Sequence, residues 1–266
     1  MKQTRRMSKQ SEKSRHDQGV DSSTQPLLAH LMALRKLLIS CLVAMLIGFV
    51  AVFYFLCDPL MHYLISPIEA RGIQIIYTTV SEAFTTQLKL SLLAGIVVVS
   101  PFIFYQLWAF IKPALYDNEI AVFRVLFFVA LLLFLAGVVF CYGYVYELAL
   151  SFFLVAGENL ATPMLSIDKY VSFLFAFILP FGVVFELPVA LYIATRMGFV
   201  DHVRLKSYRK FVFFGIFILA AILTPPDVVS QIMLGMPMYL LYEVSIIVSR
   251  FTKARVSQKS TEADEE

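Results

Sequence analysis

Charged side chains are scarce. Asp, Glu, Lys and Arg supply 15% of the 266 residues, against about 25% in a soluble domain. That excludes an ordinary solvated globule, whose surface needs more ionic groups than this chain owns. Cysteine is scarcer still: Cys41, Cys57 and Cys141 are an odd set with no CxxC spacing, so neither a disulfide framework nor a thiolate metal centre is indicated. Cys41 and Cys141 fall inside apolar runs, where a thiol packs as a small hydrophobe. The four histidines form no HxxxH pair, and no GxxxxGK[ST] loop is present to cradle a phosphate. The residues therefore point to no metal, no cofactor and no enzymatic chemistry. Basic side chains occur in short clusters rather than along a stripe, which argues against nucleic acid as a partner.

What is abundant is apolar surface. Hydrophobic residues make up 59% of the chain, with 25 Phe, and the mean hydropathy is +0.78. Six runs emerge: Leu37–Leu56, Leu90–Ile111, Val125–Tyr146, about Tyr170–Thr195, Phe211–Leu223 and about Val228–Val248. The first is free of charge and, at about 1.5 Å per helical residue, covers about 30 Å, the thickness of the hydrocarbon core. The fifth is too short for that, reaching only about 20 Å. The sixth is apolar only between Gln231 and Glu243. Two short neighbours joined by Thr224-Pro225-Pro226-Asp227 imply a thinned or tilted local bilayer, or ends buried by protein. The reading is an all-α integral membrane protein with six transmembrane helices.

Residues 1–26 are polar and form a tail, 27–250 the transmembrane domain, and 251–266 a second charged tail. Arg5–Arg6 does not start an export signal, because the apolar run begins only at Leu37 and no cleavage site follows. Lys and Arg set the orientation. They cluster before the first run, between the fourth and fifth (Arg196, Arg204, Lys206, Arg209, Lys210) and after the sixth. The stretch Glu147–Asp168, read as a loop, has none. Both termini are therefore expected in the cytoplasm.

Glu186 lies deep in an apolar run. A carboxylate at the bilayer centre costs about 2.5–3.5 kcal/mol on insertion scales. It either meets a partner helix or substrate surface, or fixes bundle packing through an internal hydrogen bond. Pro101, Pro180, Pro188 and Pro237 sit inside runs, and together suggest a curved wall. Asp117 and Glu119 occupy the short loop after the second run, where carboxylates can accept paired hydrogen bonds from guanidinium groups.

Several strings then converge. His30-Leu31-Met32-Ala33-Leu34-Arg35-Lys36 resembles the HLxELR segment of the TatC family of twin-arginine protein translocases. Ser81-Glu82-Ala83-Phe84 with Lys89 looks like that family's lead into its second span. Tyr105-Gln106-Leu107-Trp108-Ala109-Phe110-Ile111, Pro113, Leu115, Tyr116 and Glu119 resemble YQxWxFxxPxLxxxE. Phe181-Gly182 through Phe185-Glu186-Leu187-Pro188 resembles FGxxFExP, and Leu223 through Gln231 resembles LTPPDxxSQ. The motifs keep the family's order from residue 27 to about 250.

The resemblance implies a cup-like bundle in the cell inner membrane that receives twin-arginine signal peptides. It implies a complex with the single-span subunits TatB and TatA, and with further copies of itself, that exports folded proteins on the proton gradient. By matching positions, Arg35, Phe110 and Glu119, with Asp117 beside them, would bind the signal. Glu186 would contact the partner helices, and Pro67, Asp227 and Gln231 would serve on the external face. Two positions depart from the pattern: Ala33 replaces the usual Glu, and Ile120-Ala121 replaces a basic pair. The first leaves more of the arginine binding to Glu119, with Asp117 beside it, and the two together imply a weaker or differently shaped signal site. The alternatives are a small-molecule secondary transporter, which should show a repeated half-structure, and a divergent scaffold that binds no signal.

Overall fold

The computed structural model describes residues 31–111, 120–157, 164–223 and 227–250. Helix α1 is Leu31–Phe55. It is followed by α2 (Cys57–Glu69), β1 (Gln74–Ile76) and α3 (Val80–Ile111). Next come α4 (Ile120–Phe140), a π-helical turn (Cys141–Tyr146) and α5 (Glu147–Gly157), then β2 (Met164–Ser166) and α6 (Ile167–Val184). The rest is α7 (Leu187–Arg196), α8 (His202–Ser207), α9 (Arg209–Leu223) and α10 (Val228–Arg250).

Among the described residues, five helical stretches are long and apolar enough to cross a membrane: Leu31–Phe55, Val80–Ile111, Phe123–Val155, Ile167–Arg196 and Val228–Arg250. The protein is a membrane protein. Helix α9 is apolar after its first turn, but its 15 residues reach only about 22 Å.

Helix α6 is central. It packs on α3 and α4 and touches α10, which in turn lies against α7 and α9. Val171, Leu174, Phe177 and Phe181 on α6 are at most 1% exposed. In lipid the tails are as apolar as the core, so close packing rather than water exclusion holds such a helix. The α4–α6 contact shows how close. A Cβ on Gly137 would fall 2.8 Å from Phe185 Cγ, and one on Gly182 would fall 2.7 Å from Phe134 Cε2.

Two sequence expectations need correction. First, Glu147–Asp168 is not a loop throughout: the helix runs on through the π-helical turn and α5 to Gly157. The acid that suggested a boundary, Glu147, is neutralised there by an ion pair with Arg71. Second, the fold is not purely helical. Gln74–Ile76 pairs in parallel with Met164–Ser166, and the short helix α2 precedes β1. Pro188 does interrupt the fourth run: the chain turns at Phe185–Glu186, and Pro188, in the first turn of α7, leaves the preceding turn without its N–H donor. Pro101, Pro180 and Pro237 do lie within helices.

Candidate functional site

Two ends of the bundle carry polar structure. At one end α1 begins and α3 finishes. Gln106 Nε2 donates to Ser40 Oγ at 2.7 Å and ties the two helices together. Arg35 is exposed on α1, five positions before Ser40. Phe110 is half-buried on α3, four positions after Gln106. Trp108 meets Phe123 edge-on at 4.9 Å and Phe127 at 6.3 Å, closing α3 onto α4. Arg35 and Phe110 thus share one end of one helix pair. Asp117 and Glu119 lie outside the described residues.

The same end holds an ion pair whose members the sequence offers only as separate charges. Arg209 Nη2 meets Glu243 Oε2 at 2.6 Å, and Tyr239 donates its hydroxyl to Glu243 Oε1 at 2.8 Å. Tyr242 donates to the Leu205 carbonyl at 2.8 Å. Helices α8, α9 and α10 are bound together there.

Glu186 is the N-cap of α7 and is only partly exposed. Its Oε1 is buried and finds no hydrogen-bond partner among the described residues. The carboxyl still meets the Phe134 backbone on α4, so an internal contact is present beside the unmatched oxygen. Pro188 has no N–H for the preceding turn, which explains why the helix opens at this carboxylate.

Asp227 and Gln231 serve the start of α10. Asp227 accepts from the Ser230 N–H at 2.9 Å and from the Ser230 hydroxyl at 2.6 Å, an N-terminal cap. Gln231 Nε2 donates to the Phe217 carbonyl at 2.8 Å and fastens α10 to α9. Pro67 is exposed near the end of α2.

The opposite end is organised around Glu82, quoted above only as part of a string. One carboxylate oxygen accepts from Thr78 N–H (2.5 Å), Thr78 hydroxyl (2.6 Å) and Thr79 N–H (3.3 Å). The other accepts from the Ser166 hydroxyl and from Asp168 N–H at 3.3 Å. Beside it, Lys89 Nζ reaches Asp168 at 2.6 Å and Ser172 at 3.0 Å. Arg71 pairs with Glu147, and Tyr170 donates to the Leu64 carbonyl at 2.8 Å. The start of α3, the β1–β2 pair and the start of α6 become one block. The sequence signal was an acid at a helix start, ahead of an apolar span, with Ser and Thr around it.

The family model for Sec-independent protein translocase protein TatC matches residues 29–237. A protein of that description from Carboxydothermus hydrogenoformans is 38% identical over 237 residues, 89% of this chain and 97% of that one. One from Escherichia coli is 38% identical over 231 residues, 86% of this chain and 89% of that one. A crystal structure described as twin arginine translocase receptor TatC superposes with a TM-score of 0.77 at 38% identity, covering 83% of this chain and 98% of that one. The chain belongs to the TatC family of Sec-independent protein translocase proteins.

Proposed function

We propose that this protein is the receptor subunit of a twin-arginine translocase. It binds the signal peptide of a folded precursor and nucleates the complex that exports it on the proton gradient. The observation that carries the reading is the joined end of α1 and α3. There the exposed Arg35 and the half-buried Phe110 share one end of a helix pair, and Asp117 and Glu119 follow α3 in the sequence. A carboxylate pair accepts the planar, forked donors of two arginines, and the aromatic groups receive the apolar stretch that follows. In this reading six spans, including the short α9, form a cup in the inner membrane with both termini cytoplasmic. Glu186, with its unmatched oxygen, contacts the single-span partners TatA and TatB. Pro67, Asp227 and Gln231 shape the external face, and several copies share one complex.

The test is binding of a twin-arginine signal peptide and its twin-lysine counterpart to the purified protein. Selective binding of the arginine form, lost in Glu119→Gln at normal protein level, is expected. The loss should be at least about ten-fold, the equivalent of one charge-assisted hydrogen bond. Equal binding of both peptides, unaltered by the substitution, overturns the receptor reading.

A further inference from the structure

Helix α1 is barely packed. Within its apolar window only 11% of residues are buried, and its close approach to the bundle occurs at Gly48 against Gly95 and Val99. Beside that crossing the two helices leave an open groove of about 560 Å³. One wall is a helical stripe on α1: Leu42, Met45, Leu46 and Phe49, spaced to share a face. The other wall is Leu92 and Lys89 on α3. Lys89 is the one charged residue in an otherwise apolar lining.

Its depth matters. Leu90–Ile111, the part of α3 beyond Lys89, extends about 33 Å, the thickness of the hydrocarbon core. Lys89 therefore stands where acyl chains give way to headgroups, on the side of the β1–β2 pair. Its ammonium has three N–H donors. Asp168 and Ser172 take two, at 2.6 and 3.0 Å, and the side chain is still 43% exposed.

We propose that this groove binds a glycerophospholipid, one acyl chain lying along α1 between Leu42 and Phe49, its phosphate accepting the remaining Lys89 N–H. A phosphate fits the ammonium, a chain fits the stripe, and both come from one molecule that the surrounding bilayer supplies. Because Asp168 already balances the Lys89 charge, the phosphate is selected by a directed hydrogen bond more than by net headgroup charge. The site does not depend on the receptor reading.

Native mass spectrometry of the full chain released from lipid nanodiscs tests it, with phosphatidylglycerol and a galactosyl diacylglycerol of the same acyl chains as probes. The expected result is one tightly retained phosphatidylglycerol per chain, preferred several-fold over the glycolipid. Leu92→Trp and, from the facing wall, Leu46→Trp should each cut retention of that lipid by about ten-fold in protein of unchanged thermal midpoint. Lys89→Met combined with Asp168→Asn removes both charges together. It should abolish the preference for phosphate while sparing retention. Retention unchanged in both tryptophan variants overturns the site. So does a photo-crosslinker at position 46 that captures a protein helix instead of lipid.

Discussion

Glu82 and Glu186 are both carboxylates at helix starts, yet their surroundings are opposite. Glu82 is ringed by donors from Thr78, Thr79, Ser166 and Asp168, so it is a fastener between α3 and α6. In Glu82→Gln one oxygen becomes an amide nitrogen that must face either the threonine donors or the Ser166 and Asp168 donors. A buried donor left without an acceptor costs about 1–3 kcal/mol. We expect Glu82→Gln to lower the thermal midpoint of the purified protein, and an unchanged midpoint would remove its fastening role. Glu186 has a buried oxygen, Oε1, that meets no hydrogen-bond donor among the described residues. Glu186→Ala should therefore insert and fold normally but fail to co-purify the single-span partners. Undiminished co-purification would end the partner-contact reading. The sequence marked Glu186 clearly, because an acid in an apolar run is conspicuous. It marked Glu82 poorly, because its partners Ser166 and Asp168 lie more than eighty positions away, and nothing local announces that distance.

At the scale of elements, the long helices were legible because lipid demands unbroken apolar runs of a fixed length. Their ends were not. Helix α5 continues past Glu147 since Arg71, from a distant segment, neutralises it. The strands are three residues long, too short for an alternating pattern to appear. The crossing of α1 on α3 was also hidden, although it depends on two glycines. A Cβ at Gly95 would lie 3.0 Å from the Phe49 nitrogen and 3.2 Å from the Gly48 carbonyl carbon, and backbone atoms cannot rotate aside. Gly95→Val should push α1 away from α3. Cysteines at Ser40 and Gln106, which now share a 2.7 Å hydrogen bond, report the separation. Their oxidative cross-linking should fall several-fold in Gly95→Val. It should hold in Gly215→Val, where a Cβ meets nothing within 4 Å. Equal cross-linking in both would mean that the crossing tolerates side chains.

For the whole molecule, membership in a protein-translocase family displaces the small-molecule transporter alternative, and the two polar ends sort the segments into two sides. The parallel pairing of β1 with β2 requires the segments after α2 and before α6 to lie on one side of the membrane. The Arg71–Glu147 pair and the Tyr170–Leu64 hydrogen bond bind the same side. Gln106–Ser40, Arg209–Glu243 and Tyr242–Leu205 bind the other. That second side carries Arg196, Arg204, Lys206, Arg209 and Lys210 around α8, and positive loops remain in the cytoplasm. In the proposed orientation α9 crosses despite its length, α1 and α10 have their outer ends on this side too, and both termini are expected inside. Single cysteines separate the possibilities in a chain whose native Cys41, Cys57 and Cys141 are replaced by alanine. A cysteine at Ala70, exposed at the end of α2, should react with a membrane-impermeant maleimide in intact cells. One at Lys206, exposed on α8, should react only after the membrane is opened. The reverse pattern would invert the protein and put the joined end of α1 and α3 outside, where no newly made precursor could reach it. Labelling of both positions in intact cells would mean that α6 and α7 together do not separate the two sides as one span.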